Sequence, residues 1–579
     1  MSDWRRIRAW GPDWWALILL IGIAVADYVL PWRGVRRVVA AVLGAVLVGN
    51  FLRDSARHIR MAAGLRTVLR TRLLELALTL AALALLASKI HVWAIYFAHP
   101  AARSTLEPVY QEYAVMFIVA ATLRLVVGAF SIRRILHRLE LRPAQTVALG
   151  FALLILTGTL LLSLPPAVAR LESVSMLNAL FTATSAVTVT GLAVYDISHH
   201  TLLGQAILLL LIQLGGLGTM AASASLVILA GRRLRLRSAA AVQESMDLMT
   251  LGQVRAHVRT IVAVTLGAEG VGALLLYGLW RADPAVASPG FAALFHAVSA
   301  FCNAGFSTFS ANLAPFRDHA PTNLVIAALI VVGGLGFPVL HGLGQAVGRR
   351  LQGERGIILS LHTRLALRMT VTLLLAGAGV LLLLERNGVL ADASWGGRLL
   401  AAGFQSVTAR TAGFNTVEIG RLGPATLWVL MGLMFVGGCP GSTAGGVKTT
   451  TVATILATLR ATLHGRDRVE VLGRTIPAEQ VAKALAVTGV SLGMVAVAVL
   501  GLLISQAEAP MAVLFEAVSA FGTVGLSTGL TPRLTPGGKL MIMGLMFIGR
   551  IGPLTLGFAI AVKERAARVT YPTEKIMIG

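Results

Sequence analysis

Four glycines, Gly191, Gly305, Gly413 and Gly525, each close a short run of small or polar residues: Val189–Thr190, Asn303–Ala304, Thr411–Ala412 and Thr523–Val524. The chemistry open to such strips is coordination by the main chain. Glycine accepts backbone dihedrals closed to other residues, and a strip that leaves helical geometry releases its carbonyl oxygens. Four strips around one axis would ring a cation with those oxygens and replace its hydration shell. One strip alone is weak evidence, because glycine also serves close helix packing in membranes. Four strips in matching surroundings are a strong signal: LFTATSAVTVTGL at 180–192, LFHAVSAFCNAGFS at 294–307, GFQSVTARTAGFN at 403–415 and LFEAVSAFGTVGLS at 514–527.

A second glycine feature follows each strip: QLGGLG at 213–218, VGGLGF at 332–337, VGGCPG at 436–441 and IGRIGP at 548–553. Gly191 and Gly215, Gly413 and Gly437, and Gly525 and Gly549 are each 24 residues apart; Gly305 and Gly333 are 28 apart. In the third copy the feature runs through Gly437, Gly438, Pro440, Gly441, Ser442, Thr443, Gly445 and Gly446. These residues do not suit one regular helix, since proline removes a hydrogen bond and clashes with the preceding turn. A polar, flexible segment at membrane depth is tolerated only in protein or water. The stretch 436–446 therefore reads as a gate, with a rigid kink as the alternative.

In the fourth copy Arg550 stands where the others have Gly216, Gly334 and Gly438. An arginine at that depth is costly and faces a pathway or a partner. It would act as a fixed charge that repels cations, or else pair with a carboxylate. Glu269 lies in a long helix and Glu516 in a short one; Glu516 is a candidate for drawing cations at the outer mouth. Lys448 is a candidate for the inner cavity or for snorkelling, and Gln213 and Gln405 for bridging segments. Cys302 and Cys439, each among small or apolar neighbours, read as packing residues, since two thiols without a histidine cluster make no structural zinc site.

The elements that hold these residues repeat four times. Each copy has a long apolar helix, a short amphipathic segment, the strip and a second long helix. The short segment has about 10–12 residues, whereas a span needs about 20. It reads as a re-entrant half-helix whose carboxyl end, with its partial negative charge, points at the strip. The copies occupy 143–231, 255–346, 365–462 and 480–564, followed by a tail at 565–579. Residues 1–142 hold candidate spans at roughly 14–30, 38–52, 73–96 and 113–131; the second is short enough to be a candidate interfacial helix. The expected fold is an all-α polytopic membrane protein. It has four pseudo-symmetric helix–pore-loop–helix repeats around one ion pathway, plus extra N-terminal transmembrane helices.

Composition agrees with lipid as the solvent. The 579 residues are 56% hydrophobic and only 13% charged, against about 25% charged in a soluble domain. The formal net charge of +24 would suggest nucleic acid in a soluble protein, but the arginines lie in short segments between apolar runs. GRRLRLR at 231–237, Arg349–Arg350, and Arg460, Arg466, Arg468 and Arg474 are examples. This is the positive-inside pattern, and nothing resembles a nucleic-acid-binding motif. The loops 231–259, 347–368 and 459–480 are then cytoplasmic, the half-helices enter from outside, and both termini are cytoplasmic. The amino terminus, Arg5, Arg6 and Arg8 before an apolar run, has no small-residue cleavage site and reads as a first span.

In the motifs TVTGL at 188–192, NAGFS at 303–307, TAGFN at 411–415, TVGLS at 523–527, PGSTAGGVKTT at 440–450 and the ending YPTEKIMIG, the chain resembles the Trk, Ktr and HKT superfamily of potassium transporters. It looks most like the Ktr-type membrane subunit. The resemblance runs from about residue 143 to the end, and the long front segment departs from the Ktr pattern.

The resemblance implies potassium uptake across the inner (cytoplasmic) membrane, with no enzymatic activity and no covalently bound cofactor. Potassium is the transported ion and sodium a candidate coupling or activating ion. It implies a homodimer in the membrane lipid and a cytoplasmic regulatory subunit that carries the nucleotide. By the same resemblance the twelve strip residues match the selectivity filter, 436–446 matches an intramembrane gating loop and Arg550 matches an arginine below the filter. Glycine in all four strips is the pattern of potassium preference. The alternatives are a sodium-selective relative and a non-transporting membrane scaffold. A pump driven by ATP is disfavoured, because no G-x-x-x-x-G-K-S/T motif occurs.

Overall fold

The structure is a computed structural model that describes residues 143–163, 167, 175–234, 251–354 and 358–552. The expected spans before residue 143, and the tail after 552, lie outside the described residues. The regular elements of the described chain are helices apart from one short hairpin, β1 (Glu470–Val471) paired antiparallel with β2 (Arg474–Thr475).

Repeat one contains α1 (Pro143–Leu162), the half-helix α2 (Met176–Val187) and α3 (Leu202–Leu234). Repeat two contains α4 (Leu251–Trp280), the half-helix α5 (Pro289–Phe301), α6 (Ala320–Leu335) and α7 (Phe337–Leu351). Repeat three contains α8 (Leu361–Glu385), the half-helix α9 (Trp395–Thr408), α10 (Pro424–Phe435) and α11 (Thr449–Leu463). Repeat four contains α12 (Ala478–Ser505), the half-helix α13 (Pro510–Gly522) and α14 (Pro536–Ile551).

Among the described residues five helices are long and apolar enough to cross a membrane, in α1, α3, α4, α8 and α12; α6 and α7 together make a sixth if a bent pair counts as one. The half-helices have 12, 13, 14 and 13 residues. At 1.5 Å per residue they reach about 18–21 Å, well short of a hydrocarbon core of about 30 Å. Local sequence sets where several helices start. Pro289, Pro424, Pro510 and Pro536 sit in first turns, where the missing N–H had no helical partner to lose. Ser360, Ser394 and Thr535 accept the backbone N–H groups of Thr363, Gly397 and Gly538 at 3.1–3.2 Å, which satisfies donors the helix leaves free.

Two compact bodies divide the chain. Within the described residues one takes Leu153–Ala183 and Ser198–Leu210, and the other takes 143–152, Thr184–Ile197 and 211–552. In the second body α4, α5 and α6 pack mutually, as do α12, α13 and α14. Successive repeats meet in one manner: α6 packs on α9, and α10 packs on α13. The second helix of one repeat thus lies on the half-helix of the next.

One break was not foreseen. The sequence gives repeat two a single second helix, yet α6 and α7 meet at a bend of 100°. Gly336 makes the corner with φ 78° and ψ 157°, and Pro338 lies in the first turn of α7. The backbone groups freed at this corner do not stay unpaired: Phe337 N–H donates to the Gly441 carbonyl (3.1 Å) and the Gly334 carbonyl accepts from Cys439 N–H (2.9 Å).

Candidate functional site

The four strips share one backbone conformation. Val189, Asn303, Thr411 and Thr523 are left-handed, with φ of 56°, 59°, 76° and 50°, and so are Gly191, Gly305, Gly413 and Gly525, at 94°, 68°, 79° and 93°. Thr190, Ala304, Ala412 and Val524 between them keep negative φ. Alternation of handedness turns successive N–H groups to one side, and the carbonyls to the other. A left-handed residue with a side chain costs roughly 1–2 kcal/mol, so something must hold each strip in place.

The half-helices supply the hold. The N–H groups of Thr190, Ala304, Ala412 and Val524 donate to the carbonyls of Ser185, Ser299, Thr408 and Ser519 at 2.7–2.9 Å. Side-chain hydroxyls add a second tie. Ser185 Oγ and Ser519 Oγ accept the N–H groups of Gly191 (3.1 Å) and Gly525 (3.2 Å). Ser299 Oγ donates to the Phe306 carbonyl (2.8 Å), and Thr408 Oγ1 to the Phe414 carbonyl (2.6 Å). All four hydroxyl residues are buried. Sequence reasoning passed over them, although Ser185, Ser299 and Ser519 each stand six residues before a strip glycine.

The strips close into a ring. A Cβ built on Gly191 would overlap the Ala304 carbonyl oxygen. One on Gly305 would overlap that of Ala412, one on Gly413 that of Val524, and one on Gly525 that of Thr190. The order is therefore one, two, three, four and back to one, and the packing of α6 on α9 and of α10 on α13 agrees with it. Among the described residues none of these four carbonyl oxygens accepts a hydrogen bond. Unpaired carbonyls at membrane depth cost several kcal/mol each. Four such oxygens, one on each strip, are hard donors of the kind that suits an alkali or alkaline-earth cation.

The interrupted helix of repeat three lies against this ring. Between α10 and α11 the chain forms a loop closed at its base by Gly437 N–H to the Val447 carbonyl (2.9 Å) and Val447 N–H to the Phe435 carbonyl (3.1 Å). Its tip is a turn, Cys439–Pro440–Gly441–Ser442, with Ser442 N–H bonded to the Cys439 carbonyl (3.3 Å) and Gly441 at φ 74°; proline then glycine in the central positions is the type II signature. The broken helix of repeat two completes the accounting. Cys439 N–H donates to the Gly334 carbonyl (2.9 Å), Thr443 N–H to that of Gly333 (3.4 Å), and Phe337 N–H to that of Gly441 (3.1 Å). Two interruptions that would each leave polar backbone bare satisfy one another. The loop also reaches the ring. Thr443 Oγ1 donates to the Phe301 carbonyl at the end of α5 (3.1 Å), and a Cβ on Gly445 would overlap Thr523 Oγ1. Gly438 receives the Thr449 N–H on its carbonyl (3.1 Å), and Gly446 is left-handed at φ 65°.

Arg550 is buried, and among the described residues it pairs with no carboxylate. Its guanidinium donates to the Thr443 carbonyl, to the Gly215 carbonyl (3.1 Å) and to Thr219 Oγ1 (3.0 Å). It joins α14 to the loop and to α3. Among the described residues its acceptors are neutral oxygens. A second buried arginine, Arg410, precedes the third strip and donates from Nη2 to the Gly437 carbonyl (3.2 Å). The sequence reading left it unassigned.

Other expectations need correction. Glu516 is fully buried and accepts from Ser527 Oγ (3.1 Å) and from the Thr531 hydroxyl; it backs a strip and does not stand open at a mouth. Lys448 folds back, its Nζ donating to the Ala444 carbonyl (2.6 Å). Gln213 bridges α3 and α4 by donating to Glu269 (3.1 Å), whereas the buried amide of Gln405 has no partner among the described residues. Both cysteines are free and buried, but not among apolar groups alone: Cys302 faces Glu269 (3.7 Å) and Cys439 faces Thr449 (3.3 Å).

Comparison with known proteins places these features in company. The family model described as TrkH, cation transport protein, matches residues 143–569. The chain is 38% identical over 449 residues to the Ktr system potassium uptake protein B of Bacillus subtilis, covering 77% of this chain and 99% of that one. It is 37% identical over 450 residues to the potassium/sodium uptake protein NtpJ of Enterococcus hirae, covering 76% and 98%. The crystal structure of the potassium transporter TrkH from Vibrio parahaemolyticus superposes with a TM-score of 0.64 at 19% identity, over 84% of this chain and 98% of that chain.

Proposed function

The chain belongs to the TrkH family of cation transport proteins, close to its Ktr-type membrane subunits, and from that premise we propose that it carries potassium through a filter built from its four strips. It is a multi-pass membrane transporter and not an enzyme. The observation that carries the filter reading is the closed ring in which Thr190, Ala304, Ala412 and Val524 each direct an unbonded carbonyl toward a neighbouring strip. With Val189, Gly191, Asn303, Gly305, Thr411, Gly413, Thr523 and Gly525 they form the twelve-residue filter. Potassium sheds its water there because fixed carbonyl dipoles replace it.

Residues 436–446 form the gate. The loop packs against the ring where a continuous helix would leave a passage, and bonds to Gly333, Gly334, Phe301 and Arg550 keep it there. Arg550 holds the loop closed and adds a fixed positive charge that opposes cation leak. Opening requires those bonds to break together, which a cytoplasmic regulatory subunit carrying a nucleotide would drive. The protein acts as a homodimer in the cytoplasmic membrane, with loops 231–259, 347–368 and 459–480 on the cytoplasmic side and the half-helices entering from outside. Sodium serves as a coupling or activating ion. The four repeats occupy 143–231, 255–346, 365–462 and 480–564.

A sodium-carrying variant is the second reading, favoured by one observation: a relative of 37% identity is a potassium/sodium uptake protein. Purified protein in lipid vesicles decides between them. Potassium uptake well above sodium uptake is expected. Equal rates, or sodium alone, would overturn the potassium reading, and absence of flux from well-folded protein would overturn transport itself.

A further inference from the structure

The internal repeat allows one strip to serve as the control for another. Nine residues before the strip glycine, repeat two carries His296 and repeat four carries Glu516. Two residues after it, the same repeats carry Ser307 and Ser527. In both the two positions are bonded. His296 Nδ1–H donates to the Ala292 carbonyl (2.8 Å), which leaves Nε2 of the neutral ring to accept from Ser307 Oγ (2.9 Å). Ser527 Oγ donates to Glu516 Oε1 (3.1 Å). Each serine oxygen in turn accepts an N–H two residues on, from Phe309 (3.0 Å) and Gly529 (3.0 Å). Histidine and glutamate thus do the same task by different chemistry.

Repeats one and three lack the device. Repeat one has Ala193 in place of the serine. Repeat three has Asn415, whose amide donates to the Val417 carbonyl (3.2 Å), and the nearby Gln405 side chain has no partner among the described residues. In the ring order one to four, repeats two and four stand opposite each other. Both anchors are built into packed surroundings. The His296 ring stacks on Phe309 at 4.6 Å and meets the edge of Trp280 at 5.1 Å, while the carboxyl of Glu516 also takes the Thr531 hydroxyl.

We propose that His296–Ser307 and Glu516–Ser527 are brackets that fix the trailing ends of two opposite strips and thereby set the ring's preference between potassium and sodium. The proposal rests on the reading of the strips as a filter. His296 and Glu516 are positioning residues: they touch no ion, and act by denying two of the four carbonyl rows the freedom to close around a smaller one. The pathway therefore has two stiff sides and two compliant sides, not four equal ones. The bracket works through hydrogen bonds, so a neutral amide in place of the carboxyl should preserve it.

The test uses the full chain in lipid vesicles and reads the ratio of potassium to sodium uptake per folded transporter. Glu516→Ala and Ser527→Ala should each lower the ratio by about tenfold, and the double variant should be no worse than either. Glu516→Gln should keep the parent ratio. Ser307→Ala should lower the ratio as Ser527→Ala does. If Glu516→Ala does not fold, Ser527→Ala decides alone. A parent ratio retained in folded Ser307→Ala and Ser527→Ala would overturn the brackets, since a merely structural role changes yield and melting temperature but not the ratio. Loss in Glu516→Gln equal to that in Glu516→Ala would overturn the hydrogen-bond mechanism and leave the charge as the cause. Gly191→Ser, measured beside them, reports on the filter itself: if it leaves the ratio unchanged the filter reading fails, whatever the brackets do.

Discussion

Arg550 donates to the carbonyl of Thr443 across 107 residues of chain, so an arginine of repeat four holds the loop that interrupts repeat three. The same guanidinium reaches Gly215 and Thr219 of repeat one. Three repeats meet at one side chain. The side chain is therefore a tie between them.

That tie predicts the behaviour of Arg550 variants. Hydrogen bonds to charged groups contribute about 1.5–3 kcal/mol each. Arg550→Ala should raise potassium flux per folded transporter by about tenfold or more, by releasing the loop and removing the charge together. Arg550→Lys keeps the charge but cannot span three acceptors with the same planar fork. It should fall between parent and Ala. Flux in Lys equal to the parent would assign the effect to the field alone, and parental flux in a well-folded Ala variant would remove Arg550 from the gate.

Deletion of Gly441–Gly445 should raise flux and weaken any dependence on the proposed regulatory subunit. It also strips partners from the Gly333 carbonyl, the Phe337 N–H and the Phe301 carbonyl, so the folded yield should drop. Thr443→Ala is the gentler probe, because it removes only the bond to Phe301. Vesicle flux with and without the partner separates the outcomes. If the deletion folds and its flux falls or stays fixed, the loop does not obstruct the pathway.

Gly191→Ser should lower the preference for potassium over sodium. At φ 94° a side chain is strained, and its Cβ would overlap the Ala304 carbonyl oxygen of the next strip. One carbonyl of the ring must then move. Competition between the two ions for uptake reads the change directly.

Ser519→Ala leaves the Gly525 N–H without the hydroxyl it donates to, and Ser185→Ala does the same to Gly191. An unpaired buried group costs about 1–3 kcal/mol. Each variant should melt lower in detergent and bind potassium less tightly, with the two effects in parallel. Unchanged melting with unchanged potassium affinity would mean that the strip holds its conformation without the serine.

The sequence by itself determined the architecture and the special backbone. Lipid demands long apolar helices, and a strip that leaves helical geometry inside it demands glycine at fixed places, so both leave marks in residue type and spacing. Gly191, Gly305, Gly413, Gly525 and the stretch 436–446 were legible for that reason. The corner at Gly336 was not legible, since Gly336 and Pro338 are ambiguous until the chain that fills the corner is known.

Tertiary structure alone decided which groups answer one another. Thr190 meets Gly525 from the far end of the chain, and the broken backbone of repeat two is completed by the loop of repeat three. A hydrogen bond depends on atoms placed within about 3 Å, and residues hundreds of positions apart acquire that placement only by packing. For the same reason Arg550 could be recognised as costly from its neighbours in sequence, while its acceptors, Thr443, Gly215 and Thr219, could not be named until the helices had come together.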